Sequence, residues 1–137
     1  MLKKTLLMAF LVGGTSLFSI PGWSHCQIPC GIYHDDLVFG KLMENVTTIE
    51  KSVREIDSLS EKEQTALTVN SMTRWVINKE KHADDIATVM AQYFLQQRLK
   101  LDDANLGVKL TKAHRVMVMA MKVKQTVNLE IVDELKK

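Results

Sequence analysis

From position 30 to Lys137 the chain contains no proline, and after Gly40 its only glycine is Gly107. Proline removes a backbone donor and clashes with the preceding turn, and glycine is costly to order, so a stretch poor in both is free to be helical. Its apolar residues recur mostly every three or four positions, the spacing that gathers them on one helix face. Few aromatic residues, and prolines only at Pro21 and Pro29, argue against a β-sandwich.

Asp35 and Asp36 are placed to cap a first helix, whose apolar set is Leu37, Leu42, Val46, Ile49, Val53 and Ile56. Glu50, Lys51, Arg54 and Asp57 fall on its wet side, and Leu59-Ser60 closes it. Ser60-Glu61-Lys62-Glu63 has the capping-box pattern and predicts the start of a second helical segment. Its face begins with Leu67, Met72, Trp75 and Val76 and runs through His82, Ile86, Val89, Met90, Tyr93, Phe94 and Leu95 towards Leu99. Such a length is unusual in a small domain, so a break is expected between Leu67 and Lys79.

Leu101-Asp102-Asp103 turns the chain into a third segment carrying Leu106, Leu110, Ala113, Val116, Met117, Ala120, Met121 and Val123. Val127-Asn128 makes a corner before a short helix with Leu129, Val132 and Leu135. The expected fold over residues 34–137 is all-α, an antiparallel up-and-down four-helix bundle with short joints. The run Val116 to Met121 is apolar on more than one side, which predicts either a subunit interface or a crowded core.

The first 24 residues have another character. Lys3 and Lys4 precede an apolar stretch from Leu6 to Leu17, Gly13 and Gly14 interrupt it, and Pro21-Gly22 breaks it before Ser24. This reads as a signal peptide, too short and broken to span a bilayer, with small residues at Gly22 and Ser24 where a signal peptidase needs them. Cleavage after Ser24 makes His25 the first mature residue and the protein exported, to the periplasm or the extracellular space, with no membrane segment left. Lys3 and Lys4 also account for the net charge of +2, leaving sixteen basic against sixteen acidic residues. That balance gives no sign of nucleic-acid binding.

Both cysteines lie in the nine residues that follow, His25-Cys26-Gln27-Ile28-Pro29-Cys30-Gly31-Ile32-Tyr33. A free amine on His25, the backbone nitrogen and thiolate of Cys26 and the thiolate of Cys30 can make a plane of two nitrogens and two sulfurs. Such a plane suits nickel(II) or copper(II), whereas zinc prefers a tetrahedral set. The His25 imidazole is left to approach axially, and the Tyr33 phenol to order substrate or water. A Cys26–Cys30 disulfide without chemistry is the alternative that spacing leaves open.

The nine residues resemble the nickel-binding hook of nickel-containing superoxide dismutases, whose pattern is His-Cys-x-x-Pro-Cys-Gly-x-Tyr at the mature N-terminus. All seven specified positions match. The helical remainder is similar to that family at Thr73-Arg74-Trp75-Val76, Lys79-Glu80-Lys81-His82-Ala83 and Tyr93-Phe94, so the resemblance covers residues 25–137. It implies one Ni(II)/Ni(III) ion per subunit, held by His25, Cys26 and Cys30, with Tyr33 over the vacant face. It also implies superoxide as substrate, dioxygen and hydrogen peroxide as products, and a homohexamer as the assembly.

The family often holds the axial imidazole with a Glu from the first helix and an Arg from the second. The nearest positions here are Gly40 or Lys41, and His82. Outer candidates around the hook are therefore His82, Tyr93 and Glu44, the last only if the first helix has a different register. His34 and His114 read as solvated and packing residues, Trp75 as a bundle or interface anchor, and Arg74 either as a group that orients carboxylates or another subunit's hook or as a solvated cation. Two other functions fit the same residues: an exported nickel- or copper-binding protein without turnover, and a structural helical oligomer with the disulfide.

Overall fold

The structure, a computed structural model, describes Gln27 and residues 34–137. The signal peptide expected over residues 1–24 and the hook residues His25, Cys26, Cys30 and Tyr33 lie outside the described residues. Four helices form: α1 over Asp36–Ser60, α2 over Ala66–Thr88, α3 over Leu106–Lys124 and α4 over Leu129–Leu135. α2 runs on directly into a π-helix over Val89–Arg98. The described residues contain no strand, and the fold is the expected all-α four-helix bundle.

Side-chain contacts fix the directions. Asp35, at the start of α1, meets Tyr93 and Arg98 at the end of the second segment, while Ser52, further along α1, accepts from Asn78 of α2 at 3.1 Å. Lys124, at the end of α3, pairs with Asp84 of α2 at 2.9 Å, and Lys136, just past α4, pairs with Glu50 of α1 at 2.7 Å. Each helix thus runs against its predecessor, as short joints require.

The core follows the periodicity. Ile49 and Val53 of α1, Ile86 of α2, Val123 of α3 and Val132 of α4 are at most 1% exposed and belong to one cluster. Burying each such side chain stabilises the fold by about 1.5–3 kcal/mol. Leu37, expected on the α1 stripe, is instead 73% exposed, while Leu42 packs against the core. In the run Val116 to Met121, Met119 and Ala120 are buried, residues 116–118 are half-buried, and Met121 is half-exposed. Most of that run is core.

Two boundaries differ from expectation. Ser60 does not open the second helix: it ends α1, its hydroxyl donating to the Asp57 carbonyl at 2.6 Å. The cap of α2 is Thr65, whose hydroxyl accepts from the Thr68 backbone N–H at 3.2 Å and so satisfies one of the free donors of the first turn. The expected break between Leu67 and Lys79 is absent, and the change of winding comes later, at Val89.

Lys79 sits within that unbroken stretch and is only 3% exposed. Its ammonium donates to the carbonyls of Val123, Lys124 and Thr126 at 2.8, 3.0 and 2.6 Å. Those oxygens belong to the end of α3 and its exit, where the last turn leaves carbonyls without helical partners and the dipole favours a cation. Burial pushes the Lys79 pKa below the ordinary lysine value, with Glu80 opposing the shift. One side chain from α2 therefore caps α3.

Candidate metal centre

Of the hook, Gln27 is described, and the described chain resumes at His34 directly after it; Gln27 and the following Asp35 both meet the π-helix. Gln27 N–H donates to Gln97 Oε1 at 2.9 Å, and Gln97 Nε2 donates back to the Gln27 carbonyl at 2.8 Å. The Gln27 side chain also donates to Gln92 Oε1. These bonds read the main chain of residue 27 through one amide that offers both a donor and an acceptor.

At the other end, His34 adopts φ 62°, a left-handed conformation that histidine takes more readily than most residues, and the chain turns there into α1. Asp35 carries no capping bond to its own helix. Its Oδ1 accepts from the Tyr93 hydroxyl at 2.6 Å, and its Oδ2 accepts from Arg98 Nε and Nη2 at 3.1 and 2.9 Å. The expected capping role of Asp35 is replaced by a tertiary one, because Tyr93 and Arg98 offer charge-assisted partners that the helix end does not.

The hydrogen bond from Tyr93, then that from Arg98, hold the Asp35 carboxyl below the ordinary aspartate value. A depressed acid stabilises the fold above its unfolded pKa, about 3.9, and that contribution is lost as pH falls through the lower folded value. The Asp35 junction should therefore stay intact at pH 5 and open only on the acid side of pH 4. Carboxyl-carbon NMR should show Asp35 titrating below the other aspartates, and a midpoint at the ordinary value would show that the bridge does not persist.

Tyr93 is 2% exposed, and Phe94 beside it stacks with Phe39 of α1 at a centroid distance of 5.3 Å. A cavity of about 510 Å³ opens next to this junction, lined by Phe39, Leu42, Met90, Phe94 and Val116. Arg98, Lys109, Lys112 and Lys136 also line it, so its walls are apolar and its edge is cationic.

The other candidates lie elsewhere. His82 is half-buried and its Nδ1 meets Asn45 Oδ1 of α1 at 2.7 Å, while Asn45 Nδ2 is buried without a partner. Glu44 is exposed. The α1 residue that His82 meets is thus an amide, not a carboxylate. His34, His114 and Arg74 are exposed, and Trp75 is half-buried with Lys51 5.7 Å from its ring centroid.

Among the described residues, no group of three or more His, Cys, Asp or Glu is arranged to hold a metal ion. Cys26 and Cys30, the thiols that the sequence offers as metal donors, lie outside the described residues. The family model of nickel-containing superoxide dismutase matches residues 22–137. The chain belongs to that family. The match begins three residues before His25 and takes in the whole hook together with the bundle. Searches of curated proteins and of solved structures return no match. Membership makes this an oxidoreductase-family chain of the redox, antioxidant kind.

Sequence reasoning missed Gln27, Gln92, Gln97 and Arg98 as parts of this region. A signal was present in the pairing of Gln92 with Gln97 and of Tyr93 with Arg98, each five apart, but it has meaning only for a helix wound with that period.

Proposed function

We propose that the mature chain is a nickel superoxide dismutase, converting two superoxide anions and two protons to dioxygen and hydrogen peroxide. The observation that carries the reading is the complete hook pattern from His25 to Tyr33 inside the family match. The donor set fits the metal: the His25 amine and imidazole, the Cys26 backbone nitrogen and thiolate, and the Cys30 thiolate supply nitrogen and soft sulfur together. Nickel bound there supplies one-electron redox chemistry, its higher state made accessible by strong anionic donors.

The chain's own residues do the rest. His25 has both its amine and its ring available only once the leader is cut after Ser24. Tyr33 orders the incoming anion and water by its hydroxyl. Beside the Asp35 junction, Arg98, Lys109 and Lys136 are paired with Asp35, Asp103 and Glu50, and Lys112 adds positive charge that favours arrival of an anion.

Export, removal of residues 1–24 by signal peptidase and assembly as a homohexamer belong to the same proposal. Exposed apolar side chains on several faces, Leu67, Val69, Ile77 and Val108 among them, support an oligomer. No described helix is long and apolar enough to cross a membrane. The deciding measurement is the intact mass of the exported protein together with its nickel content and superoxide-dismutating activity. A chain starting at His25 with one nickel and rapid activity is the expected result. One nickel without turnover would move the function to metal binding, and a metal-free disulfide would move it to structure.

A further inference from the structure

The π-helix fastens the chain at two places, Gln27 within the hook and Asp35 just beyond it, with the same spacing. Gln92 and Gln97 take Gln27, and Tyr93 and Arg98 take Asp35. The members of each pair are five residues apart. In an α-helix of 3.6 residues per turn, five positions leave two side chains about 140° apart around the axis. In π winding the hydrogen bond itself spans five residues, as Leu99 N–H to the Phe94 carbonyl at 3.0 Å does here, and residue i+5 returns over residue i. One change of winding thus registers two pairs at once, on neighbouring positions of one helix.

We infer that the π-helix Val89–Arg98 is a two-jawed clamp for the metal-binding hook, with Gln97 as the positioning residue of its front jaw. The inference rests on the nickel reading above. The front jaw holds residue 27, directly after Cys26, and the rear jaw holds Asp35, two positions beyond Tyr33, so Cys30 falls between the jaws in the chain and His25-Cys26 directly ahead of the front one. Gln97 binds only main-chain atoms of Gln27, so its two bonds do not depend on the side chain at position 27, which is held by Gln92 alone. It requires an amide at 97: a carboxylate there lacks the donor, and an ammonium lacks the acceptor. Fixing the segment before the metal arrives lowers the ordering cost of chelation.

The test uses the mature full-length protein carrying Gln97→Ala, Gln97→Glu or Gln27→Ala. Groups that orient metal ligands are worth about 10–100-fold in affinity, and Gln97→Ala should weaken nickel(II) binding by that factor without altering helicity or the unfolding temperature. Gln97→Glu should fall between Gln97→Ala and wild type, and Gln27→Ala, which keeps both main-chain bonds, should stay close to wild type. A second readout needs no metal: the Gln27 amide should exchange with deuterium about tenfold more slowly in metal-free wild type than in Gln97→Ala, since its N–H is donated. Equal exchange rates, or equal nickel affinities in a wild type that binds the ion, would overturn the clamp. A wild type that takes up no nickel overturns the functional reading instead, and the exchange rates still decide the clamp.

Discussion

Adding a single residue ahead of His25 is expected to abolish nickel binding and superoxide turnover together, while leaving the bundle folded. The extension converts the terminal amine into a peptide nitrogen, which must lose a proton to bind, and it moves the imidazole off the end of the chain. Loss of a direct donor should exceed the 10–100-fold that outer groups contribute, so a fall of at least about 100-fold in affinity is expected. Cys26→Ser and Cys30→Ser should act alike by removing a thiolate each. Circular dichroism should change little in any of them, because the core is built from residues of the four α-helices and the π-helix, and the hook precedes them. Unaltered activity in the extended protein would refute a terminal-amine site, and unaltered nickel binding in both cysteine variants would remove the hook from the mechanism.

The largest effect on stability is expected at Lys79. Lys79→Met keeps the bulk of the side chain and removes the ammonium, leaving the Val123, Lys124 and Thr126 carbonyls without their donor. Hydrogen bonds to charged groups contribute about 1.5–3 kcal/mol each, and water can recover part of the loss at the two partly buried contacts. A net destabilisation of about 3–5 kcal/mol follows, which lowers the unfolding temperature by roughly 15 °C or more in a domain of this size. Urea denaturation of the two proteins checks it. A difference under about 1 kcal/mol would mean that the α3 end is satisfied by solvent and that Lys79 is not its cap.

The helices themselves were legible because their cause is local. Ile49, Val53, Ile86, Val123 and Val132 fall on the expected faces, and Asn128, read as a corner, caps α4 by accepting from Glu130 N–H at 2.8 Å. The capping-box reading of Ser60 failed because a hydroxyl beside a helix end serves either end. Here it closes α1, and Thr65 opens α2. Asp35 was read as a cap for the same local reason, and a buried tyrosine and an arginine more than fifty residues away took its carboxylate.

The sequence alone determined the helical class and the nine residues whose donor chemistry points to nickel, since periodicity, missing prolines and a contiguous motif are properties of neighbours along the chain. Tertiary structure alone decided that Lys79 caps α3, that His82 meets an amide of α1, and that residues 89–98 wind as a π-helix. Nothing in Val89–Arg98 marks that winding: the segment holds neither proline nor glycine. Its two pairs gain partners only when Gln27 and Asp35 are brought against it, and long-range contacts of that kind are invisible to any local pattern.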